Sequence, residues 1–206
     1  MSVGFLASQS RQTPRLSELV FESPTRTFAT VAALPSNVHA IESALLFATG
    51  TVKFLTLVGP SGWGKSHVLE AVACRIGHDA GLPPRIYSAL EWVYLGGRAD
   101  DPGPLIIDNV QDVLDAPRMR TAIRIALERR MRGRKPTLLS FTAPKLTRQI
   151  RTLLPASREW TTGVMAAPHA IERALVLDQM AVSEGLLLPS VLTRLIGHNM
   201  KGNGRT

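Results

Sequence analysis

Apolar positions along the chain fall into two kinds of run that alternate. The first kind is short, continuous and rich in β-formers: Lys53-Phe-Leu-Thr-Leu-Val58, Arg85-Ile-Tyr-Ser88, Pro104-Leu-Ile-Ile-Asp108 and Thr137-Leu-Leu-Ser-Phe141. The 104–108 run does not alternate with polar residues, so it predicts a strand covered on both faces. The second kind repeats at helical spacing. Val38, Ile41, Leu45 and Leu46 mark a helix to about Ala48, with Ser36 and Asn37 placed to cap it. Val68, Leu69, Val72 and Ile76 mark a helix that starts at Lys65, and Met119, Ile123, Ala126 and Leu127 form the stripe of another. Strands that alternate with helices predict an α/β domain, a parallel sheet with right-handed crossovers between two helical layers. After Pro168 the pattern changes to helices alone, about Ile171–Ser183 and Pro189–Gly197. The expected organisation is therefore a polar, flexible N-terminal arm over 1–24, an α/β domain over 25–167, and a small, partial helical unit over 168–206.

Composition narrows the class. Of 206 residues, 45% are hydrophobic and 19% charged, an ordinary globular balance. The single cysteine, Cys74, excludes an internal disulfide framework and reads as core packing. No apolar run approaches the ~20 residues of a membrane span, and no signal pattern opens the chain, so cytoplasm is the default compartment. His39, His78, His169 and His198 fit no ligand spacing. The net charge of +8 is uneven: eight basic residues lie between Arg118 and Lys135 against one acid, Glu128. That segment reads either as a solvated helix face or as a surface for phosphate backbones or an acidic partner.

Gly59-Pro-Ser-Gly-Trp-Gly-Lys-Ser66 matches the phosphate-binding pattern G-x-x-x-x-G-K-[ST] at every fixed position, between a predicted strand and a predicted helix. Gly59, Ser61, Gly62, Trp63 and Gly64 shape a loop whose backbone N–H groups approach phosphate oxygens, and the helix that follows adds its positive end. Lys65 neutralises the outer phosphates of ATP or ADP, Ser66 ligates Mg2+, and the His67 backbone N–H reaches the phosphates. Trp63 either covers the nucleotide or shields the loop. Asp108, at the end of the buried 104–108 strand, is the second magnesium holder. Asn109 follows it where ATPases of this class place an acid, and an amide cannot take a proton from the attacking water at neutral pH.

With these pieces placed, the chain resembles the AAA+ domain of the DnaA family of bacterial replication initiators and its shorter Hda relatives, from about Phe28 onward. Thr27-Phe-Ala-Thr-Val31 and Leu34-Pro-Ser-Asn37 are similar to the family's N-terminal box, which implies that Val31 flanks adenine. Gly64-Lys-Ser-His67 resembles its GKTH ending, and Asp108-Asn-Val-Gln111 its aspartate-rich second motif. Ala156-Ser-Arg-Glu-Trp160 resembles the Arg-finger box, so the resemblance makes Arg158 a finger that reaches a neighbour's nucleotide. Leu188-Pro189 also fits, and counting on from it places Arg205 at the lid's sensor arginine. In the sensor strand Phe141 stands where a polar residue is usual, with Ser140 or Thr142 as substitutes. DnaA carries an extra helix pair for single-stranded DNA before its second motif, where this chain has Ala89–Gly103.

The implied activity is regulation of replication initiation through nucleotide-dependent docking on an AAA+ replication protein, an initiator or a helicase, or through self-association, with weak or absent hydrolysis. Two alternatives share the phosphate loop: a helicase loader or transposition helper of the DnaC or IstB type, and a small-molecule kinase. A kinase would need an acceptor site and an arginine-rich lid, which 168–206 does not resemble. Non-specific DNA contact through 118–135 completes the expected partners; a membrane is not among them.

Overall fold

The computed structural model describes residues 26–97 and 101–200. In chain order the elements are α1 (Val38–Ala48), β1 (Phe54–Gly59), α2 (Lys65–Ala80), β2 (Ile86–Ser88), α3 (Ala89–Tyr94), β3 (Leu105–Asp108), α4 (Pro117–Arg132), β4 (Thr137–Thr142), α5 (Arg148–Leu153), β5 (Thr161–Val164), α6 (Ala170–Ser183) and α7 (Ser190–Asn199). The strands form one sheet in the order β2-β3-β4-β1-β5. Every pairing is parallel, as the alternation predicts. The sequence pattern missed β5, α3 and α5.

Strand periodicity sorts the core into two layers. Leu55, Leu57, Ile106, Leu138 and Met165 pack with Ala40, Ala44 and Phe47 of α1 and with Val68, Leu69 and Val72 of α2. Residues of the other parity, Phe54, Leu105, Ile107, Leu139 and Phe141, pack with Trp92, Ile123, Leu127 and Ile150. The same parity puts Asp108 and Ser140 on the α2 face and sends Phe141 into the opposite core, where it is fully buried. The carboxyl ends of β1, β3 and β4 share one edge, through the registers Gly59 to Thr142 and Ile107 to Leu139. In an open parallel sheet that edge is where ligands bind.

Three expectations are corrected. Asn37 makes no side-chain cap to α1. Its Oδ1 accepts from the Leu34 N–H at 2.8 Å and its Nδ2 donates to the Ala32 carbonyl at 2.9 Å, so it braces the loop before the helix instead. Met119 sits in the first turn of α4 beyond the rim of the core and is 37% exposed. Arg130, counted above among the surface cations, is 1% exposed. Its guanidinium donates to Thr137 Oγ1 (2.9 Å) and to the carbonyls of Asp101 (3.0 Å), Gly103 (2.7 Å) and Pro136 (2.8 Å), and so ties α4 to the lower end of the sheet. Burial brings its pKa down to about 10, which still leaves it charged at neutral pH.

The helical unit differs in construction. α6 and α7 approach closely because Gly197 leaves room, and a Cβ there would stand 2.8 Å from the Ala174 nitrogen. Arg173 Nε donates to the Gly197 carbonyl at 2.7 Å. Glu172 ties the unit to the loop before α1, because one oxygen accepts from the Ser36 N–H (2.9 Å) while the other caps its own helix at the His169 N–H (2.8 Å). Desolvation pushes its carboxyl up, but the amides of His169 and Ser36 outweigh that and hold it below the usual glutamate value. The N-terminal arm and Arg205 lie outside the described residues.

Candidate functional site

A cavity of about 480 Å³ opens at the carboxyl edge of the sheet. Its floor is the loop from Ser61 to Ser66 and the first turn of α2. One wall is the leading loop, with Val31, Ala32, Leu34 and Asn37. The others are Met165 and Ala166 after β5, and Val176, Gln179 and Met180 of α6.

The loop turns where glycine allows it. Gly64 precedes α2 with φ 89°, a left-handed conformation that other residues adopt at a cost, and it leaves the helix N-terminus open to an anion. Lys65 is 6% exposed, and its Nζ donates to the Gly59 and Pro60 carbonyls, both at 2.8 Å. The side chain thus curls over the loop instead of reaching into water. Trp63 and His67 line the same cavity and are half-buried. The His67 Nε2 lies 2.9 Å from Thr30 Oγ1. Because that hydroxyl donates to the Thr27 carbonyl, the imidazole supplies the proton of the shared bond. Burial first, and then the Arg26 charge, push the His67 pKa below its usual value, so the ring is neutral at pH 7.

Behind the loop, Ser66 Oγ donates to Asp108 Oδ2 at 3.0 Å. The other Asp108 oxygen accepts from the Ser140 hydroxyl and from the Asn109 N–H, the latter at 2.9 Å. A hydroxyl and an ionised carboxylate side by side beneath a phosphate loop form a hard-oxygen donor set that suits magnesium. Among the described residues there is no cluster of three His, Cys, Asp or Glu side chains. The pair therefore fits an ion that takes its remaining ligands from phosphate and water.

Asn109 lines the cavity in a left-handed conformation, φ 56°, which asparagine tolerates better than most residues. Its Oδ1 accepts from Gln111 Nε2 at 3.3 Å, and Gln111 Oε1 accepts from the Thr142 N–H at 2.8 Å. Thr142 lies at the rim and Ser140 beneath Asp108, so the two polar residues that flank Phe141 divide the work between them.

The geometry thus gathers Val31, Ser61, Gly62, Trp63, Gly64, Lys65, Ser66, His67 and Asn109 around one cavity, with Gly59 and Asp108 just behind it. Arg158 is not among the lining residues. It is exposed on a single 3-10 turn, Ser157–Glu159, pinned by Trp160, which donates from Nε1 to the Pro155 carbonyl at 3.0 Å and packs on Phe54 at 5.5 Å. Sequence reasoning assigned no role to Met165, Gln179 or Thr30. Gln111 was visible as the last residue of the Asp108 motif and went unassigned.

No protein-family model matches the sequence, and no curated protein does. Solved structures do match. Domain III of the replication initiation protein DnaA from Thermotoga maritima superposes with a TM-score of 0.72 at 18% identity, over 88% of this chain and 84% of that one. AMPPCP-bound DnaA from Aquifex aeolicus gives 0.71 at 15% identity, over 88% of this chain and 62% of that one. DnaA bound to AMPPCP and single-stranded DNA gives 0.71 at 17% identity, over 90% and 63%. The chain spans under two thirds of the length of those two larger proteins. It shares the fold of DnaA domain III.

Proposed function

We propose that this chain is an adenine-nucleotide-binding AAA+ module of the DnaA and Hda type, which regulates replication initiation by nucleotide-dependent docking and hydrolyses ATP slowly or not at all. The observation that carries the reading is one cavity lined by two chemically different kinds of group. Lys65, Ser66 and the start of α2, with Asp108 behind them, supply cationic and hard-oxygen groups. Val31 and Leu34 of the leading loop add apolar wall to the same cavity. A nucleoside polyphosphate needs both kinds of group. Two DnaA structures of this fold hold AMPPCP, which supports the choice of nucleotide.

Bound magnesium would supply charge neutralisation of the outer phosphates, held by Ser66 and Asp108. Lys65 exchanges its two loop carbonyls for phosphate oxygens. Slow turnover follows from Asn109, because a carboxylate base is worth ~10²–10⁴-fold and an amide supplies none of it. Arg158, exposed on a pinned turn and absent from its own cavity, suits a role on a neighbour's nucleotide, in a second copy or in an AAA+ replication protein. The cations of α4 that remain exposed, Arg118, Arg120, Arg124, Arg129 and Arg132, suit a sequence-blind contact with DNA.

Binding of fluorescent ATP and ADP tests the reading. Lys65→Ala should lower affinity for both by tenfold or more, as ~1.5–3 kcal/mol for a charge-assisted bond implies. Unchanged affinity for both removes the site. Rapid phosphate release by the unmodified protein contradicts slow hydrolysis. Arg158→Ala should spare nucleotide affinity and weaken nucleotide-dependent association in sedimentation.

A further inference from the structure

Three residues at the phosphate end are linked by side-chain amides, and the direction of those hydrogen bonds is determined at both ends. Gln111 Oε1 faces the Thr142 N–H at 2.8 Å, a group that can only donate. Gln111 Nε2 faces Asp112 Oδ1 at 2.9 Å, a carboxylate that can only accept while ionised. The glutamine amide therefore has one orientation, oxygen to β4 and nitrogen to Asp112. The same nitrogen lies 3.3 Å from the Asn109 side chain, so Asn109 must meet it with its oxygen. The Asn109 Nδ2 group is what remains. It makes no hydrogen bond among the described residues, and Asn109 lines the cavity beside Lys65, Ser66 and Thr142.

We propose that Gln111 locks the Asn109 amide with its NH2 group toward the terminal phosphate, which makes this position a reader of ATP against ADP and not a vestige of a lost base. The proposal rests on the nucleotide-binding reading above and deepens it. An amide N–H2 is a donor, and the oxygens of a γ-phosphate are acceptors that carry charge, so the bond is of the charge-assisted kind. ADP has no γ-phosphate to offer it. Backbone geometry supports the assignment, because the left-handed φ of Asn109 is anchored by its own N–H on Asp108 and Ser140. The side chain thus leaves a point held beside the Asp108 carboxylate. Gln111 is a positioning residue here and Asn109 the one that touches ligand.

Two near-isosteric substitutions reverse the chemistry without changing shape. Asn109→Asp keeps the bond from Gln111 and turns a carboxylate oxygen toward the phosphate. Gln111→Glu, made together with Asp112→Asn so that its new oxygen does not meet the Asp112 carboxylate, keeps the bond from Thr142 and presents an acceptor to Asn109, so the Asn109 amide turns over and points its oxygen at the ligand. Calorimetric affinities of the full chain for AMPPCP and for ADP with magnesium, beside melting temperatures, form the test. The ratio of AMPPCP to ADP affinity should fall about tenfold or more in Asn109→Asp and severalfold in Gln111→Glu with Asp112→Asn. Asn109→Gly, which glycine's freedom at that φ permits, should fall between them. A merely structural Gln111 would lower the melting temperature and leave the ratio alone, and that result overturns the proposal. Equal loss for both nucleotides in Asn109→Asp overturns it too. Lys65→Ala separates the levels: if it weakens both ligands while the 109 and 111 variants leave the ratio fixed, the nucleotide site stands and the reader falls. Failure of the unmodified chain to bind either nucleotide removes both.

Discussion

The sheet domain and the α6–α7 pair are held together by different forces. In the sheet domain Leu55, Leu57, Ile106 and Leu138 are wholly buried, and helices cover both faces. In the helix pair the buried residues are Glu172, Ala174, Ala181, Thr193 and Gly197, while Ile171, Leu187 and Val191 are 80%, 93% and 77% exposed. One unit is stabilised by apolar area. The other is placed by directional contacts, among them Glu172 on the Ser36 N–H and Gln179 Nε2 on the Ala29 carbonyl at 3.2 Å. Both of those contacts end on the leading loop that walls the cavity.

The contrast is easiest to break at its strong side. Ile106→Ala should cost ~2–5 kcal/mol in chemical denaturation, the range for a buried aliphatic truncation, whereas Leu187→Ala should stay within ~0.5 kcal/mol. Similar values for the two would erase the distinction. Gly197→Leu comes next. Its Cβ would stand 2.8 Å from the Ala174 nitrogen and 3.0 Å from the Ala170 carbonyl oxygen, and overpacking of that kind costs ~1–3 kcal/mol. Hydrogen exchange should show lost protection across 170–199 with β1, β3 and β4 unchanged. Loss of protection in those strands would mean that the units unfold as one.

Glu172 offers the smallest and most selective probe. Its carboxyl titrates below the usual value, so it contributes stability at pH values above the unfolded glutamate pKa, and that contribution is lost as pH falls through the folded one. Docking of the helix pair, read by hydrogen exchange, should loosen from about pH 5 downward. Glu172→Gln should flatten that acid limb and cost about 1 kcal/mol at neutral pH. An acid limb of the same depth in the variant would transfer the effect to other carboxylates.

What could be read in advance follows the strength of the local signal. The turn from β1 into α2 was legible because the Gly59–Ser66 pattern asks for a strand before it and a helix after it. β1, β3 and β4 were legible because continuous apolar runs leave few other options. β5 was not: Thr161-Thr-Gly-Val164 has one fully buried position and exists through its pairing with β1. Arg130 misled because a cation on a helix is read as surface by default. Yet Ile123, Ala126, Leu127 and Arg130 share the spacing of the buried stripe, and that was the available sign. Asn37 suits a cap by residue type, but its amide is engaged by the Ala32 and Leu34 backbone instead. At the site, the direction of the 109–111–142 amide chain needed β4 laid beside β3, which no one-dimensional pattern supplies.

The three tryptophans have an optical consequence. Trp92 and Trp160 are 3% and 6% exposed in the sheet core, while Trp63 stands half-buried in the phosphate loop on the cavity wall. Two indoles are thus shielded from a dissolved quencher such as iodide, and the third emits from the wall of the candidate site. Emission from this chain separates into a background that iodide does not quench and one accessible ring, so a ligand that enters this cavity should be followed without a dye, a label or an added residue.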